Sequence, residues 1–131
     1  MKIKHNLTNS NSPIKTNWCL DAHCPIQFML ELLSSKWSIL ILRELFRGDC
    51  RTHELLEALP GISSKTLTLR LRELELHGLV KRTVYAEIPP HVEYALTEKG
   101  REVQPVMIAL KQVGERWLGK QSCACSLELN P

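Results

Sequence analysis

The segment from Ser63 to Gly78 constrains the fold more than any other part of the chain. Three leucines recur in it at positions i, i+4 and i+7, which places them on one side of an α-helix: Leu67, Leu71 and Leu74. Ser63 or Ser64 is suited to cap the start of this helix, and Gly78 is suited to end it. A helix with one leucine face must pack that face against other elements, so the segment requires a folded domain around it.

Three shorter helices are predicted before this segment. They span about residues 25–33, 36–46 and 53–59, and Pro25 is suited to the first turn of the first one. The second helix is apolar almost all round, which predicts a buried helix at the centre of the domain. Pro60 and Gly61 form a turn between the third helix and the fourth.

After Gly78 the hydrophobic pattern changes from a helical period to a period of two. Residues 79–85 and 91–96 are predicted strands, and two prolines make the tip between them (residues 86–90) rigid. Thr97 is suited to cap a long final helix through about Leu118, which Pro105 should kink or shorten. One stripe of this helix is apolar: Val103, Val106, Leu110, Val113 and Trp117.

The predicted elements follow the order of a winged helix-turn-helix domain: a short helix, a tight turn, an amphipathic helix and then a hairpin. We therefore expect a mainly α fold with a small β-hairpin wing (class α+β). Residues 1–17 are expected to be a disordered arm, residues 18–120 the domain, and residues 121–131 a cysteine-containing tail. No apolar run approaches the roughly 20 residues of a membrane span, and the start lacks the apolar stretch of a secretory signal, so a cytoplasmic location is expected.

Positive charge is concentrated where a helix-turn-helix protein would meet DNA. The chain has a net charge of +3, and residues 63–85 alone carry the same excess, with five basic residues against Glu73 and Glu75. Near the start of the fourth helix, Ser64, Lys65 and Thr68 are candidates for contacts with base edges. Further candidates for phosphate, guanine or minor-groove contacts lie on this helix and on the hairpin: Arg70, Arg72, Lys81, Arg82 and His91. The alternative interpretation is that these residues form only a solvated helix face and an ordinary surface hairpin, and do not bind DNA.

The chain resembles the HxlR family of bacterial regulators, which are relatives of the MarR winged-helix proteins. The resemblance rests on an ordered series of motifs: Cys24–Pro25, Lys36–Leu45, Leu59–Ser63, Leu67–Leu74, His77–Arg82, Pro89–Tyr94 and Leu96–Gly100. It implies a homodimer held by the first and last helices, with two wings. It also implies a pseudo-palindromic double-stranded DNA operator, on which the two recognition helices lie about 34 Å apart. Together with the fold, it predicts a sequence-specific transcription regulator, acting as a repressor.

The chain departs from the usual family pattern at several positions. Leu69 stands where members usually carry a polar residue, and His91 stands where the wing often has an arginine. Val113 replaces a frequent tryptophan of the last helix, so the dimer core should differ in detail.

Cysteines form a second group of candidate functional residues. Cys24 matches a position where many family members carry a cysteine, and some use it as a thiol sensor; a helix N-terminus also favours the reactive thiolate. Cys19 lies close before it, and Cys123 and Cys125 lie in the tail.

Three interpretations stay open for these four residues. They are a redox switch that responds to a small electrophile or oxidant, a set of inert thiols, and a zinc or iron–sulfur site in a dimer that acts partly through a protein partner. Apart from that last interpretation no cofactor is expected. Cys50 is expected to be a turn or half-buried residue.

Catalysis is not expected. His23 and Cys24 offer a base and a nucleophile, but adjacent residues at a helix start point in different directions. The sequence has no glycine-rich phosphate loop and no paired carboxylates at a strand end. It therefore favours a binding protein over an enzyme.

Overall fold

The computed structural model describes residues 24–33 and 35–119. The chain divides into two compact units, residues 1–34 and 35–131. The expected arm (residues 1–17) and tail (residues 121–131) lie outside the described residues, as do the expected domain boundaries. The arm, the tail and the domain boundaries therefore remain predictions.

In the first unit the described residues form one helix, α1 (Pro25–Leu32). Pro25 occupies its first turn, as predicted. Cys24 is the N-cap residue, and its carbonyl oxygen accepts a hydrogen bond from the backbone N–H of Phe28 at 2.9 Å. Cys24 itself is buried, whereas three large apolar side chains of the helix are exposed: Ile26, Phe28 and Leu30.

The second unit contains five helices and a three-stranded antiparallel sheet within its described residues. The elements in chain order are α2 (Lys36–Arg47), β1 (Cys50–Arg51), α3 (Thr52–Ala58), α4 (Ser64–Leu76), β2 (Val80–Tyr85), β3 (His91–Leu96), α5 (Glu98–Arg101) and α6 (Gln104–Leu118). The predicted winged helix-turn-helix order is confirmed. The bounds of the first four helices and the two hairpin strands differ from the sequence prediction by one residue or not at all.

The sheet contains one strand more than the predicted hairpin. Strands β2 and β3 pair along all six residues of each, from Val80 opposite Leu96 to Tyr85 opposite His91. The additional strand β1 pairs with the other edge of β3, which gives the order β1-β3-β2. Cys50 therefore begins a short strand instead of lying in a turn. Two residues are too few to show the alternation by which a strand is recognised in a sequence.

Helix α2 is buried, as its composition predicts. Ile41, Leu42 and Leu45 are at most 2% exposed, and the helix packs on α3, α4 and β3. Glu44 is also buried, and its carboxylate forms ion pairs with the guanidinium groups of Arg43 at 2.8 Å and Arg47 at 3.5 Å. These ion pairs offset the cost of removing a carboxylate from water.

The end of α4 is joined to the end of the hairpin by hydrogen bonds. Gly78 adopts a φ of +78°, the left-handed conformation that ends a helix and that glycine adopts without strain. Its carbonyl oxygen accepts a hydrogen bond from the Thr97 hydroxyl at 2.6 Å, and that hydroxyl in turn accepts one from the N–H of Gly100 at 2.9 Å. Lys99 donates to the carbonyl oxygen of His77 at 3.0 Å. The position of the hairpin is thus tied to the position of α4.

The predicted final helix is divided into two helices, so of the two effects expected of Pro105 the structure shows a shortened first portion and not a kink. Thr97 caps a helix as expected, but that helix (α5) has only four residues. A new helix, α6, begins at Gln104 with Pro105 in its first turn. Proline has no N–H to donate and therefore cannot continue a preceding helix, whereas it is tolerated at the start of a new one.

In the ranges that the structure describes, no helix combines the length and the apolar composition needed to cross a membrane.

We expect Gly100→Ala to destabilise the protein. A methyl group at this position would overlap the carbonyl oxygen of Leu79 and press on Leu96, and such overpacking costs about 1–3 kcal/mol. Gly114→Ala is the control, because the same methyl group within α6 meets no atom within 4 Å and helix propensity favours alanine by up to about 1 kcal/mol. Urea unfolding at one protomer concentration measures both effects. Equal midpoints for Gly100→Ala and the unsubstituted protein would contradict this account.

Candidate DNA interface

Helix α4 begins directly after the turn that separates it from α3. Gly61 in this turn has a φ of +97°, a conformation that residues with a side chain rarely adopt. Ser63 then caps the helix, because its hydroxyl accepts a hydrogen bond from the backbone N–H of Thr66 at 3.0 Å. The turn and the cap fix where the first turn of α4 starts. That first turn carries two of the predicted base-contacting residues, Ser64 and Lys65.

The two sides of α4 differ completely in burial. Leu67, Leu71 and Leu74 are at most 2% exposed, as their spacing predicts. The opposite side is exposed, and its residues line one open, shallow depression: Ser64, Lys65, Thr68, Leu69 and Arg72. The structure thus brings together four of the five candidate residues that the sequence places on this helix. We call this surface the α4 face.

The α4 face carries positive charge that is available to a ligand. Lys65 and Arg72 are exposed at its two ends, seven positions apart on the helix. Among the ion pairs between described residues, none involves either side chain. Since no carboxylate of the described residues engages these cations, an anionic partner would not have to displace one of these carboxylates.

The fifth candidate on this helix, Arg70, lies outside the α4 face. It is half-buried, and its guanidinium donates to the carboxylate of Glu73 at 2.9 Å. Its Nε atom is buried and has no hydrogen-bond partner within the described part of the chain. A contact between Arg70 and DNA therefore requires this ion pair to open first.

The hairpin presents two further cations. Lys81 and Arg82 are both exposed on β2. As neighbours on a strand they point to opposite faces of the sheet, so they cannot both face the same ligand surface directly. Beyond them, at the tip of the hairpin, the side chain of Ile88 is 99% exposed.

His91 has acidic surroundings. Its ring stacks on Tyr85 with 4.8 Å between ring centroids, and its side chain is only 15% exposed. Nδ1 lies 3.8 Å from a carboxylate oxygen of Glu87, and Nε2 lies 3.4 Å from one of Glu93. A phosphate approaching this ring would meet two carboxylates. The predicted contact of His91 with DNA stays a prediction, and this geometry does not favour it.

The described cysteines have different environments. Cys24 is buried at the start of α1. Cys50 donates its thiol to the carbonyl oxygen of Gly48 at 3.4 Å. Burial, with the nearby carboxylates of Glu54, Glu44 and Asp49, raises the pKa of Cys50 from 9.0 to about 11. Cys50 is therefore almost entirely in the unreactive thiol form at neutral pH.

The remaining candidate cysteines, Cys19, Cys123 and Cys125, lie outside the described residues. Their pairing, reactivity and metal binding stay predictions. Within the described ranges, no three His, Cys, Asp or Glu side chains are grouped so that they could hold a metal ion.

Leu69 is the residue of this surface to which the sequence assigned no role. It lies at the centre of the α4 face, yet it offers neither a charge nor a hydrogen bond. The signal in the sequence was its spacing, four residues after Lys65 and three before Arg72, which places all three on one side of a helix.

Comparison with known proteins agrees with this geometry. Residues 32–122 match the HxlR-like helix-turn-helix family. An HTH-type transcriptional regulator from Synechocystis sp. is 64% identical over 104 residues, which cover 79% of this chain and 77% of the relative.

Solved structures give the same assignment. The redox regulator HypR in its oxidized form superposes with a TM-score of 0.68 at 41% identity, covering 71% of this chain and 96% of HypR. A putative transcriptional regulator of the MarR family from Porphyromonas gingivalis W83 superposes with a TM-score of 0.71 at 38% identity, covering 73% of this chain and 94% of that one.

The family match covers well over half of the chain, and the relatives are transcription regulators, which bind DNA and are not enzymes. The α4 face and the hairpin stand where a winged helix-turn-helix protein meets DNA. The chain belongs to the HxlR-like helix-turn-helix family of transcriptional regulators.

Proposed function

We propose that this regulator represses transcription by occupying a pseudo-palindromic operator as a homodimer, in the cytoplasm, with the α4 face of each protomer in the major groove. The observation that carries the proposal is the α4 face itself, on which polar and basic side chains surround Leu69, opposite a fully buried leucine stripe. Such a helix can enter the groove without giving up any of its packing. Ser64, Lys65 and Thr68, near the helix start, contact base edges, and Arg72 contacts a guanine or a phosphate.

The hairpin supplies the second set of contacts in this proposal. Lys81 and Arg82 contact the phosphate backbone or the minor groove beside the half-site that α4 occupies. Arg70 and His91, which the sequence also suggested, are left out because their observed partners are carboxylates.

Lys65→Ala and Arg72→Ala are expected to weaken binding to the preferred duplex by at least about five-fold each, since each removes a base or phosphate contact. The duplex used is the one that the unsubstituted protein enriches from a library of random sequences. Titrations at several salt concentrations separate the two kinds of contact. Loss of one phosphate contact lowers the slope of log Kd against log salt by about 0.9.

Arg101→Ala is the matched control, because Arg101 is an exposed arginine at the end of α5, outside both α4 and the hairpin. It should leave the affinity for the duplex unchanged. If Lys65→Ala and Arg72→Ala also bind as tightly as the unsubstituted protein, the α4 face is not the DNA interface.

Dimerisation is supported by an apolar surface on α6. Five residues of this helix line a second open depression: Pro105, Val106, Ala109, Leu110 and Val113. Three of them, Val106, Leu110 and Val113, have large apolar side chains that are 37–55% exposed in the protomer. A continuous apolar surface of this kind is typical of a protein interface. We propose that two copies of α6 pack through it, with α1 contributing its own exposed apolar residues, so that the two α4 faces lie about one DNA turn apart.

Leu110→Glu is expected to dissociate the dimer. In a two-fold symmetric interface each substitution occurs twice, so it brings two carboxylates into an apolar contact. Juxtaposed like charges cost several kcal/mol, which weakens self-association on the order of 100-fold. Sedimentation velocity over a range of protomer concentrations measures the change.

Leu76→Glu makes the same substitution at an exposed leucine of α4, outside α1 and α6, and should leave the dimer intact. A Leu110→Glu protein that dimerises like this control would contradict the proposed interface.

A redox response is the third part of the proposal. HypR, to which this chain is similar, is a redox regulator. Cys24 stands at the N-cap of α1, where the helix dipole favours a thiolate. We propose that a small electrophile or oxidant modifies Cys24, or links it to Cys19, Cys123 or Cys125, and that the modification alters DNA affinity. No observation within the described residues favours the zinc or iron–sulfur alternative.

Cys24→Ser should abolish the change in DNA affinity that follows mild oxidant treatment, measured by titration of the preferred duplex before and after treatment. Cys50→Ser is the control and should respond like the unsubstituted protein, because the raised pKa of Cys50 keeps its thiol protonated until the pH approaches about 11. A normal response from Cys24→Ser would remove Cys24 from the mechanism.

A further inference from the structure

Leu69 lies in the middle of the α4 face, which the proposed function places in the major groove. Lys65 lies one turn before it, Thr68 lies beside it, and Arg72 lies one turn after it. The buried stripe is on the other side of the helix. Any duplex that both Lys65 and Arg72 contact must therefore pass over Leu69.

Single exposed leucines are common on protein surfaces and by themselves indicate nothing. Leu69 differs in its surroundings, because it is 45% exposed within a depression whose other four residues all carry a polar group. Leu76 provides a comparison, since it follows seven residues later on the same side of α4 and is 79% exposed, but it does not line the depression. Of these two leucines, Leu69 is the one that bound DNA on the α4 face would remove from water.

The chemistry of leucine restricts what it can contact in the major groove. Its side chain neither donates nor accepts a hydrogen bond, so the donor and acceptor groups of guanine, adenine and cytosine would lose water against it without gaining a partner. The one apolar group that an unmodified base pair presents in this groove is the 5-methyl group of thymine. Packing the leucine against that methyl group removes both from water at once.

We infer that Leu69 is a specificity-determining residue that selects a thymine in each operator half-site, at a position between the contacts of Lys65 and Arg72. The inference rests on the proposed function, because it requires the α4 face to lie in the major groove. Beyond the proposed function, it identifies the base as thymine and the recognised group as its 5-methyl group.

The test replaces thymine by uracil, which lacks the 5-methyl group and retains the hydrogen-bonding groups. The probe is the duplex that the unsubstituted protein enriches from a random library containing ordinary cytosine, so that thymine is the sole source of a 5-methyl group. Each thymine is replaced by deoxyuridine in turn, symmetrically in both half-sites, and the affinity is measured. At one position per half-site we expect binding to weaken by about four-fold for each methyl group removed, the factor that burial of one methyl group supplies.

Leu69→Ala assigns this effect to the leucine. It should bind the thymine and uracil duplexes equally well at that position, whereas Leu76→Ala, the matched control, should discriminate between them like the unsubstituted protein. The inference is overturned if no uracil substitution weakens binding of the unsubstituted protein, a measurement that needs no variant. It is also overturned if Leu69→Ala retains the full discrimination at every position.

These outcomes are distinct from a failure of the proposed function. If the protein enriches no duplex at all, the proposed DNA recognition is wrong and the inference fails with it. If a two-fold symmetric duplex is enriched but shows no dependence on thymine methyl groups, DNA recognition stands and only the role of Leu69 is lost.

Discussion

Burial of Leu67, Leu71 and Leu74 determines which side chains of α4 remain at the surface. These leucines pack into a core that α2 provides, and all three are at most 2% exposed. A rotation of α4 about its axis would bring leucines into water and would bury Lys65 or Arg72, both of which are costly. The hydrophobic effect thus determines the direction in which the polar face of α4 points, because the core permits only a small rotation of the helix. In the proposed function, recognition of DNA therefore depends on the same contacts that stabilise the domain.

A second constraint connects the helix to the hairpin. The Thr97 hydroxyl joins Gly78, just after the end of α4, to the first turn of α5, where Gly100 lies so close to Leu79 that no side chain fits. The hairpin ends directly before Thr97, and its first strand starts two residues after Gly78. A winged helix-turn-helix protein needs its recognition helix and its wing at a fixed separation, because the two contact different parts of one half-site. Short hydrogen bonds at their common base supply that separation.

The sequence predicted the elements whose pattern is long, and it missed those that depend on one or two residues. The leucine spacing gave both faces of α4, and alternation gave the full extent of β3. Strand β1 is too short to alternate, and the break before α6 was visible only as a proline whose effect had two possible forms.

The periodicity of the sequence also could not predict which side chains form local ion pairs. Arg70 and His91 are basic residues on the helix and the hairpin that we propose to face DNA, yet they contact Glu73 and Glu93 respectively. Spacing assigns a residue to a side of a helix or strand, but it does not show which neighbour its charged group has already bound. Leu69 is the opposite case, because its side of the helix was predicted from spacing, whereas its proposed role was inferred from the polar residues that surround it.

The central claim is that DNA binds across the α4 face and the hairpin, and a map of amide chemical shifts tests it most directly. Isotope-labelled protein is titrated with its preferred duplex, and the shift of each backbone amide is followed. The account predicts that the largest changes fall on residues 63–72 and on the hairpin strands, with small changes at the apolar face of α6. Changes centred on α6, with α4 unaffected, would contradict it.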